Sequence, residues 1–251
     1  MNVREGGAVP GSPAPRRSTQ AERRERTRVA LVESAARGLS RHGYGNLVLE
    51  QVARDAGYTR GALYHQFKDK QELALAVTEW VFEAWDREVG HHVERETEPL
   101  AALLTLARAH TAFCRRDIAR VAVALRLEFS GRDHPIGLQV EAGYQALLAL
   151  CTGYVEAGRT AGTIPAGPPA GDTALAYVGA LEGTSIALAG RVPDDASLVV
   201  AAVSGALGLD PRTTAHTTAH SSVRHEPQEV HDGTSQVRAH VPPVADTRAD
   251  A

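Results

Sequence analysis

The segment that decides the fold is GYGNLVLEQVARDAGYTRGALYHQFKDK, residues 43–70. Its apolar pattern predicts two short helices, over 48–55 and 59–66. Ala53 is small enough for the two helices to cross closely, and Gly57 can take the left-handed conformation that a tight helix–helix turn needs. Apolar side chains return to the hairpin at Leu49, Val52, Leu63 and Phe67. The segment therefore predicts a helix-turn-helix.

The second short helix carries the polar residues that a reader of the DNA major groove needs. Thr59 can cap its N-terminus, and Arg60, Gly61, Tyr64 and His65 lie at its start and on its outer face. Arg60 is the best candidate to read a base, because a guanidinium pairs bidentately with O6 and N7 of guanine. Two alternatives stay open: Tyr64 could belong to the hairpin core, and His65 could simply be solvated.

Helical patterns flank this segment on both sides. A preceding helix over 20–42 has an apolar stripe that ends before Gly43, and a following helix begins at Asp69, which with Glu72 forms a capping-box-like pair. That helix is predicted to run to about residue 89. Five further helices are predicted over 98–115, 117–130, 135–160, 171–190 and 194–208, with Asp172 as an N-cap. No segment has a convincing strand pattern, so the fold class is all-α.

The stretch from Arg28 to Val77 resembles the DNA-binding domain of the TetR family of bacterial repressors. The resemblance is carried by LSRHGY, by EQVARDAGYTRGALYHQFKDKQEL and above all by GALYHQFKDK within it. It implies a homodimer of all-helical subunits. Each subunit would have a three-helix N-terminal helix-turn-helix DNA-binding domain and a larger C-terminal helical domain for ligand binding and dimerisation.

The resemblance also assigns DNA contacts by position. Arg60, Gly61, Tyr64 and His65 would lie on the recognition helix, and Lys70 would hold a phosphate at the start of the next helix. Thr59 opens the recognition helix, and Arg26 and Arg28 would reach the DNA backbone from the N-terminal arm. Val48 stands where the family usually has Thr or Ser, so we expect Asn46 to cap that helix instead.

Charge is distributed unevenly along the chain. The net charge of the 251 residues is −3, but residues 1–75 hold 13 Lys and Arg against 8 Asp and Glu, a net of +5. The rest of the chain is correspondingly acidic, with a net of −8. A basic first module on an acidic body indicates a polyanionic partner for that module alone.

Composition divides the chain into four parts. We expect a disordered arm over 1–18, the helix-turn-helix domain over 19–68, the effector-binding and dimerisation domain over 69–210 and a disordered tail over 211–251.

The last two predicted helices are rich in Ala and Gly, including Gly179 and Gly183, and small residues let helices approach closely in a dimer. Packing within one subunit is the alternative. Candidate ligand-binding residues are the polar or aromatic side chains of apolar helices: His110, Phe113, Arg126, Glu128, Tyr144 and Tyr177. Arg126 and Glu128 could instead form a surface pair, and His110 could be a core histidine whose hydrogen bonds are satisfied within the subunit.

These features predict a sequence-specific transcriptional repressor that a small-molecule effector releases from a palindromic operator. The alternative is an architectural or partner-controlled DNA-binding protein without an effector. We expect no enzyme activity, no cofactor and no metal, because no phosphate loop, nucleophile elbow or metal-ligand set is visible. Two cysteines and the lack of a long apolar run favour a cytoplasmic protein without membrane contact.

Overall fold

The structure is a computed structural model that describes residues 19–188 and 195–209. The arm and the tail expected over 1–18 and 211–251 lie outside these residues. Every regular element of the described part is helical, which confirms the all-α prediction. The helices are α1 (Gln20–His42), α2 (Leu49–Asp55), α3 (Arg60–Gln66), α4 (Lys70–Trp85), α5 (His91–Val93), α6 (Pro99–Cys114), α7 (Arg120–Glu128), α8 (Pro135–Thr160), α9 (Ala170–Ala187) and α10 (Asp195–Ala206).

The first three helices form the predicted helix-turn-helix. A capping box begins α1: Thr19 Oγ1 accepts the Glu22 amide at 3.2 Å, and the Glu22 carboxylate accepts the Thr19 amide at 2.9 Å. The helix ends at His42, where Gly43 has a φ of 73°. Gly57 takes the predicted left-handed conformation, with a φ of 78°, and so turns the chain between α2 and α3.

Two predicted caps are wrong. Asn46 does not cap α2, because its side-chain amide donates to the carbonyl of His42 at 3.1 Å and so serves the end of α1. Val48 occupies the N-cap position and makes no side-chain capping bond. Asp172 lies inside the first turn of α9, whose N-cap is Pro169. Its carboxylate therefore stands where the helix dipole favours negative charge, without being the cap.

One continuous buried core joins the helix-turn-helix to the body. Helix α4 packs against α1 on one side and against α7 and α8 on the other, and its Leu73, Val77 and Val81 are almost fully buried. A π-helical turn, Asp86–Gly90, carries α4 into α5. In the body, α9 packs between α8 and α10, and α6 packs against α8 and α10. The predicted limits of the body helices agree with the structure to within a few residues.

Candidate nucleic-acid interface

The recognition hairpin is fixed by one buried apolar side and a few backbone bonds. Leu63 of α3 is 0% exposed and Val52 of α2 is 3% exposed. The buried Ser34 hydroxyl donates to the Val52 carbonyl at 2.9 Å, which fixes α2 on α1. Thr59 caps α3 as predicted, since its Oγ1 accepts the Ala62 amide at 3.2 Å.

Burial of Leu63 leaves the polar side of α3 facing solvent. Arg60, Gly61, Tyr64 and His65 are all exposed. Tyr64 keeps 43% of its surface exposed, so it lies outside the hairpin core. These four residues, which the resemblance assigns to DNA, therefore share one accessible surface. Together with the exposed Thr59 they form what we call the reading surface (Thr59, Arg60, Gly61, Tyr64 and His65).

Arg60 is held by two neighbours on this surface. Its Nη1 lies 3.0 Å from Glu50 Oε1 of α2, and its guanidinium carbon lies 5.4 Å from the centre of the Tyr64 ring. The hydrogen bond with Tyr64 and the charge of Glu50 both raise the pKa of Arg60. Glu50 could not be selected from the sequence, because its contact with Arg60 depends on the crossing of α2 and α3.

Lys70 begins α4 and lies beside the loop between α1 and α2. Its Nζ donates to the Gly45 carbonyl at 3.0 Å and lies 4.7 Å from the centre of the Tyr44 ring. Burial lowers the pKa of Lys70, and the nearby carboxylate of Glu128 acts in the opposite direction. The predicted phosphate ligand thus also has a partner within the chain.

The arginines at the start of α1 are arranged differently. The guanidinium of Arg28 lies 4.8 Å from the centre of the Phe67 ring, so it covers the end of α3. Arg26 is exposed, and its Nε donates to the Glu22 carbonyl at 3.3 Å within α1. Only Arg26 is fully on the surface, while Arg28 also contributes to packing.

Glu128 was a candidate from the sequence either for ligand binding or for a surface pair with Arg126. In the structure it instead binds the loop that follows α1. Its two carboxylate oxygens accept the backbone amides of Tyr44 and Gly45, each at 2.7 Å. Arg126, on the same helix α7, has other acidic partners. Residues two apart on a helix do not face each other, which explains the separation.

Two of the candidate ligand residues meet in the body. The Arg126 guanidinium lies 3.3 Å from the centre of the Tyr144 ring, and it pairs with Glu141 at 3.4 Å and Glu182 at 3.8 Å. Burial raises the pKa of Glu182, although Arg126 opposes that shift. We call these four side chains the body polar cluster (Arg126, Glu141, Tyr144 and Glu182). Glu182 was missed because nothing local distinguishes it from other acidic residues.

The other three candidates are engaged in the core. The Tyr177 hydroxyl, in a fully buried side chain, donates to the Leu103 carbonyl at 2.6 Å. Phe113 is 4% exposed. His110 Nδ1 accepts the indole N–H of Trp85 at 3.1 Å, and burial lowers the pKa of His110 to about 4. These side chains already have partners within the chain.

The two cysteines do not form a disulfide. Cys114 and Cys151 are free, and burial raises the pKa of their thiols to about 11 and about 12. Among residues 19–188 and 195–209, no group of three or more acidic, His or Cys side chains could hold a metal ion. No helix in the same ranges is long and apolar enough to cross a membrane.

Comparison with known proteins places the likeness over the helix-turn-helix. Residues 31–77 match the family described as bacterial regulatory proteins, tetR family. The HTH-type transcriptional regulator CymR of Pseudomonas putida is 41% identical over 70 residues, which are 28% of this chain and 34% of CymR. The chain therefore aligns with about a third of that relative's length.

Solved structures extend the likeness to the body. SCO4454, a TetR-family transcriptional regulator from Streptomyces coelicolor, superposes with a TM-score of 0.62 at 20% identity, covering 73% of this chain and 95% of its own. AibR, in complex with isovaleryl coenzyme A and operator DNA, superposes with a TM-score of 0.60 at 16% identity, covering 74% and 98%. At these identities the two structures show that the fold is shared.

Proposed function

Because the chain belongs to the TetR family of bacterial regulatory proteins, we propose that it is a sequence-specific DNA-binding transcriptional repressor. In this proposal a small-molecule effector releases it from a palindromic operator. The observation that carries the proposal is the reading surface, where α3 is buried through Leu63 and presents Arg60, Tyr64 and His65 to solvent. A helix supported in this way can enter the major groove.

The reading surface has the donors that recognition of base edges requires. Arg60 can pair with O6 and N7 of guanine, and His65 or Tyr64 can contact a phosphate or a thymine methyl. Lys70 stands at the N-terminus of α4, where the helix dipole also favours a phosphate. We place the domain boundary between residues 68 and 69. The DNA contacts lie in the first domain and at Lys70 just after the boundary, and the effector binds to the second domain.

A homodimer would supply the second reading surface. The outer faces of α9 and α10 leave Leu175, Ile186 and Leu198 about half exposed, at 51%, 56% and 49%. A Cβ added at Gly179, Gly183 or Gly205 would meet no atom of the described chain within 4 Å. Exposed apolar residues beside open glycines favour close packing of these helices against a second copy. Two recognition helices would then lie about one helical turn of DNA apart, roughly 34 Å.

The body polar cluster is the proposed place for an effector. A stacked guanidinium and tyrosine among apolar helices can orient a small molecule, and AibR with its bound isovaleryl coenzyme A has the same fold. An effector that favours a different arrangement of the helices would reduce the population that binds DNA. An architectural DNA-binding protein without an effector is the competing interpretation.

Selection of bound duplexes from a random DNA library tests the proposal. With purified full-length protein at moderate salt, we expect a short inverted repeat. Recovery of sequence-independent, salt-sensitive binding alone would favour the architectural interpretation. A thermal-shift screen of small metabolites then tests the effector: a stabilising compound that also releases the operator supports it, and a flat screen counts against it.

A further inference from the structure

We propose that Glu128 is a positioning residue that fixes the orientation of the helix-turn-helix on the body. Through that orientation it sets the spacing at which a dimer reads its two half-sites. The second part rests on the proposed function, while the first concerns the subunit alone. The proposal arises from a contact between α7 and the loop Gly43-Tyr44-Gly45, which we call the α1–α2 joint.

The carboxylate of Glu128 uses both oxygens on the joint. Oε2 accepts the Tyr44 amide and Oε1 accepts the Gly45 amide, each at 2.7 Å, and the partners lie 84 and 83 residues away in the sequence. Bonds of this length between an ionised acceptor and N–H donors are stronger than neutral ones. Two such bonds to consecutive amides restrain the direction of the loop as well as its distance.

The glycines of the joint leave space for the carboxylate. A Cβ added at Gly43 would lie 2.9 Å from Glu128 Oε2, and one added at Gly45 would lie 3.3 Å from Oε1. Gly43 also has a φ of +73°, a backbone conformation that residues with a Cβ rarely adopt. The sequence of the loop therefore fits the acid that binds it.

Other contacts hold the joint from further sides. Lys70 of α4 donates to the Gly45 carbonyl, and the Tyr44 ring lies 5.2 Å from the centre of Phe129, the residue after Glu128. In the short turn that precedes α7, the Asp117 carbonyl accepts the Ser40 hydroxyl of α1 at 2.6 Å. The joint thus lies between α7 and α4: Glu128 accepts two of its backbone amides, and Lys70 donates to one of its carbonyls.

The joint leads directly into α2, and α2 leads into α3, which carries the reading surface. The orientation of the joint on the body therefore sets the orientation of the reading surface. In a dimer the two reading surfaces must match half-sites at one separation along the duplex. If the joint loosens, each reading surface keeps its own contacts but their separation becomes variable. Loss of Glu128 should therefore reduce selectivity for spacing without reducing recognition of a single half-site.

Distance measurement between spin labels tests the first part without DNA. Labels are placed at Asp55→Cys on α2 and Glu156→Cys on α8 in a Cys114→Ser background, and the sample is diluted with unlabelled protein. We expect one narrow distance distribution for the parent, one at least twofold broader for Glu128→Ala, and an intermediate width for Glu128→Gln. Glu83→Gln, which changes an exposed carboxylate of α4, should match the parent. A Glu128→Ala distribution as narrow as the parent's would overturn the proposal.

Operators of altered spacing test the second part. On the selected operator and on versions with one base pair inserted or removed, Glu128→Ala should reduce the preference for the native spacing at least fivefold. Its affinity for a single half-site should stay within twofold of the parent's. An unchanged preference would overturn this part. If selection yields no operator, the proposed function fails, while the distance measurement still decides the role of Glu128. If Glu128→Ala does not fold, the distance distribution and the spacing preference are both measured on Glu128→Gln instead.

Discussion

Arg60 Nη1 lies 3.0 Å from Glu50 Oε1, so the side chain that we expect to read a base is already paired with a carboxylate. Both side chains are exposed, so solvent screens the pair and it can open at little cost. Because Glu50 adjoins Arg60, its charge would lie close to any DNA bound at the reading surface and would repel the phosphates. The pair should therefore restrain binding to unrelated DNA more than binding to the operator.

Glu50→Gln is predicted to increase the affinity for random-sequence DNA by about two- to fivefold, because it frees Arg60 and removes a negative charge. Affinity for the operator should increase less, so discrimination falls. Competition binding with operator and random duplexes measures both quantities. Glu83→Gln is the matched control for loss of one carboxylate. Unchanged affinity for random DNA would contradict a restraining role for Glu50.

Lys70→Ala is predicted to weaken binding to every DNA sequence and to reduce the slope of log affinity against log salt by about one per contact. The bond from Lys70 to the Gly45 carbonyl is lost as well. Titrations at several salt concentrations separate these effects, since only the phosphate contact changes the slope. A weaker affinity with an unchanged slope would assign Lys70 to the joint alone.

Gly183→Leu is predicted to convert the proposed dimer to a monomer, because the added side chain would enter the proposed interface between copies of α9. Within the described chain it has open space, so the subunit should still fold. Sedimentation velocity reports the mass. Gly153→Leu, at an equally open glycine of α8, is the control and should stay dimeric. A dimeric Gly183→Leu protein would place the interface elsewhere.

His110 is predicted to make the fold sensitive to acid. Burial lowers its folded pKa to about 4, against about 6.5 in the unfolded chain. The unfolded chain therefore binds the proton more readily. Above pH 6.5 His110 is neutral in both states, so its titration does not change the free energy of unfolding. As pH falls from 6.5 to 4, the free energy of unfolding decreases by up to about 3 kcal/mol.

Urea unfolding of the parent and of His110→Asn over this pH range isolates the contribution. The Asn side chain can still accept the Trp85 N–H bond but does not titrate. The parent should lose stability more steeply than the variant between pH 6.5 and 4. Equal losses would show that His110 is not responsible.

Local features of the fold could be predicted from the sequence. The turn at Gly57 and the cap at Thr59 depend on residues a few positions apart, and both are confirmed. Asn46 was assigned to the wrong helix because it lies between two helix ends, and its amide can serve either one. Asp172 was misplaced because the acid of a first turn resembles a cap in sequence.

Contacts between distant parts of the chain could not be predicted. Glu128 binds amides more than 80 residues away, and Glu182 meets Arg126 only because α7 and α9 both pack against α8. Nothing in the residues beside either acid specifies its partner. The same is true of Glu50 and Arg60, whose approach follows from the angle between α2 and α3.

The most direct measurement of the central claim is duplex selection repeated with Arg60→Ala beside the parent protein. If α3 reads bases through Arg60, both proteins should select the same inverted repeat. The variant should tolerate any base at one position of each half-site, with a loss of affinity for the parent's site of about tenfold or more. An unchanged motif at every position, or equal loss on operator and random DNA, would contradict base reading by Arg60.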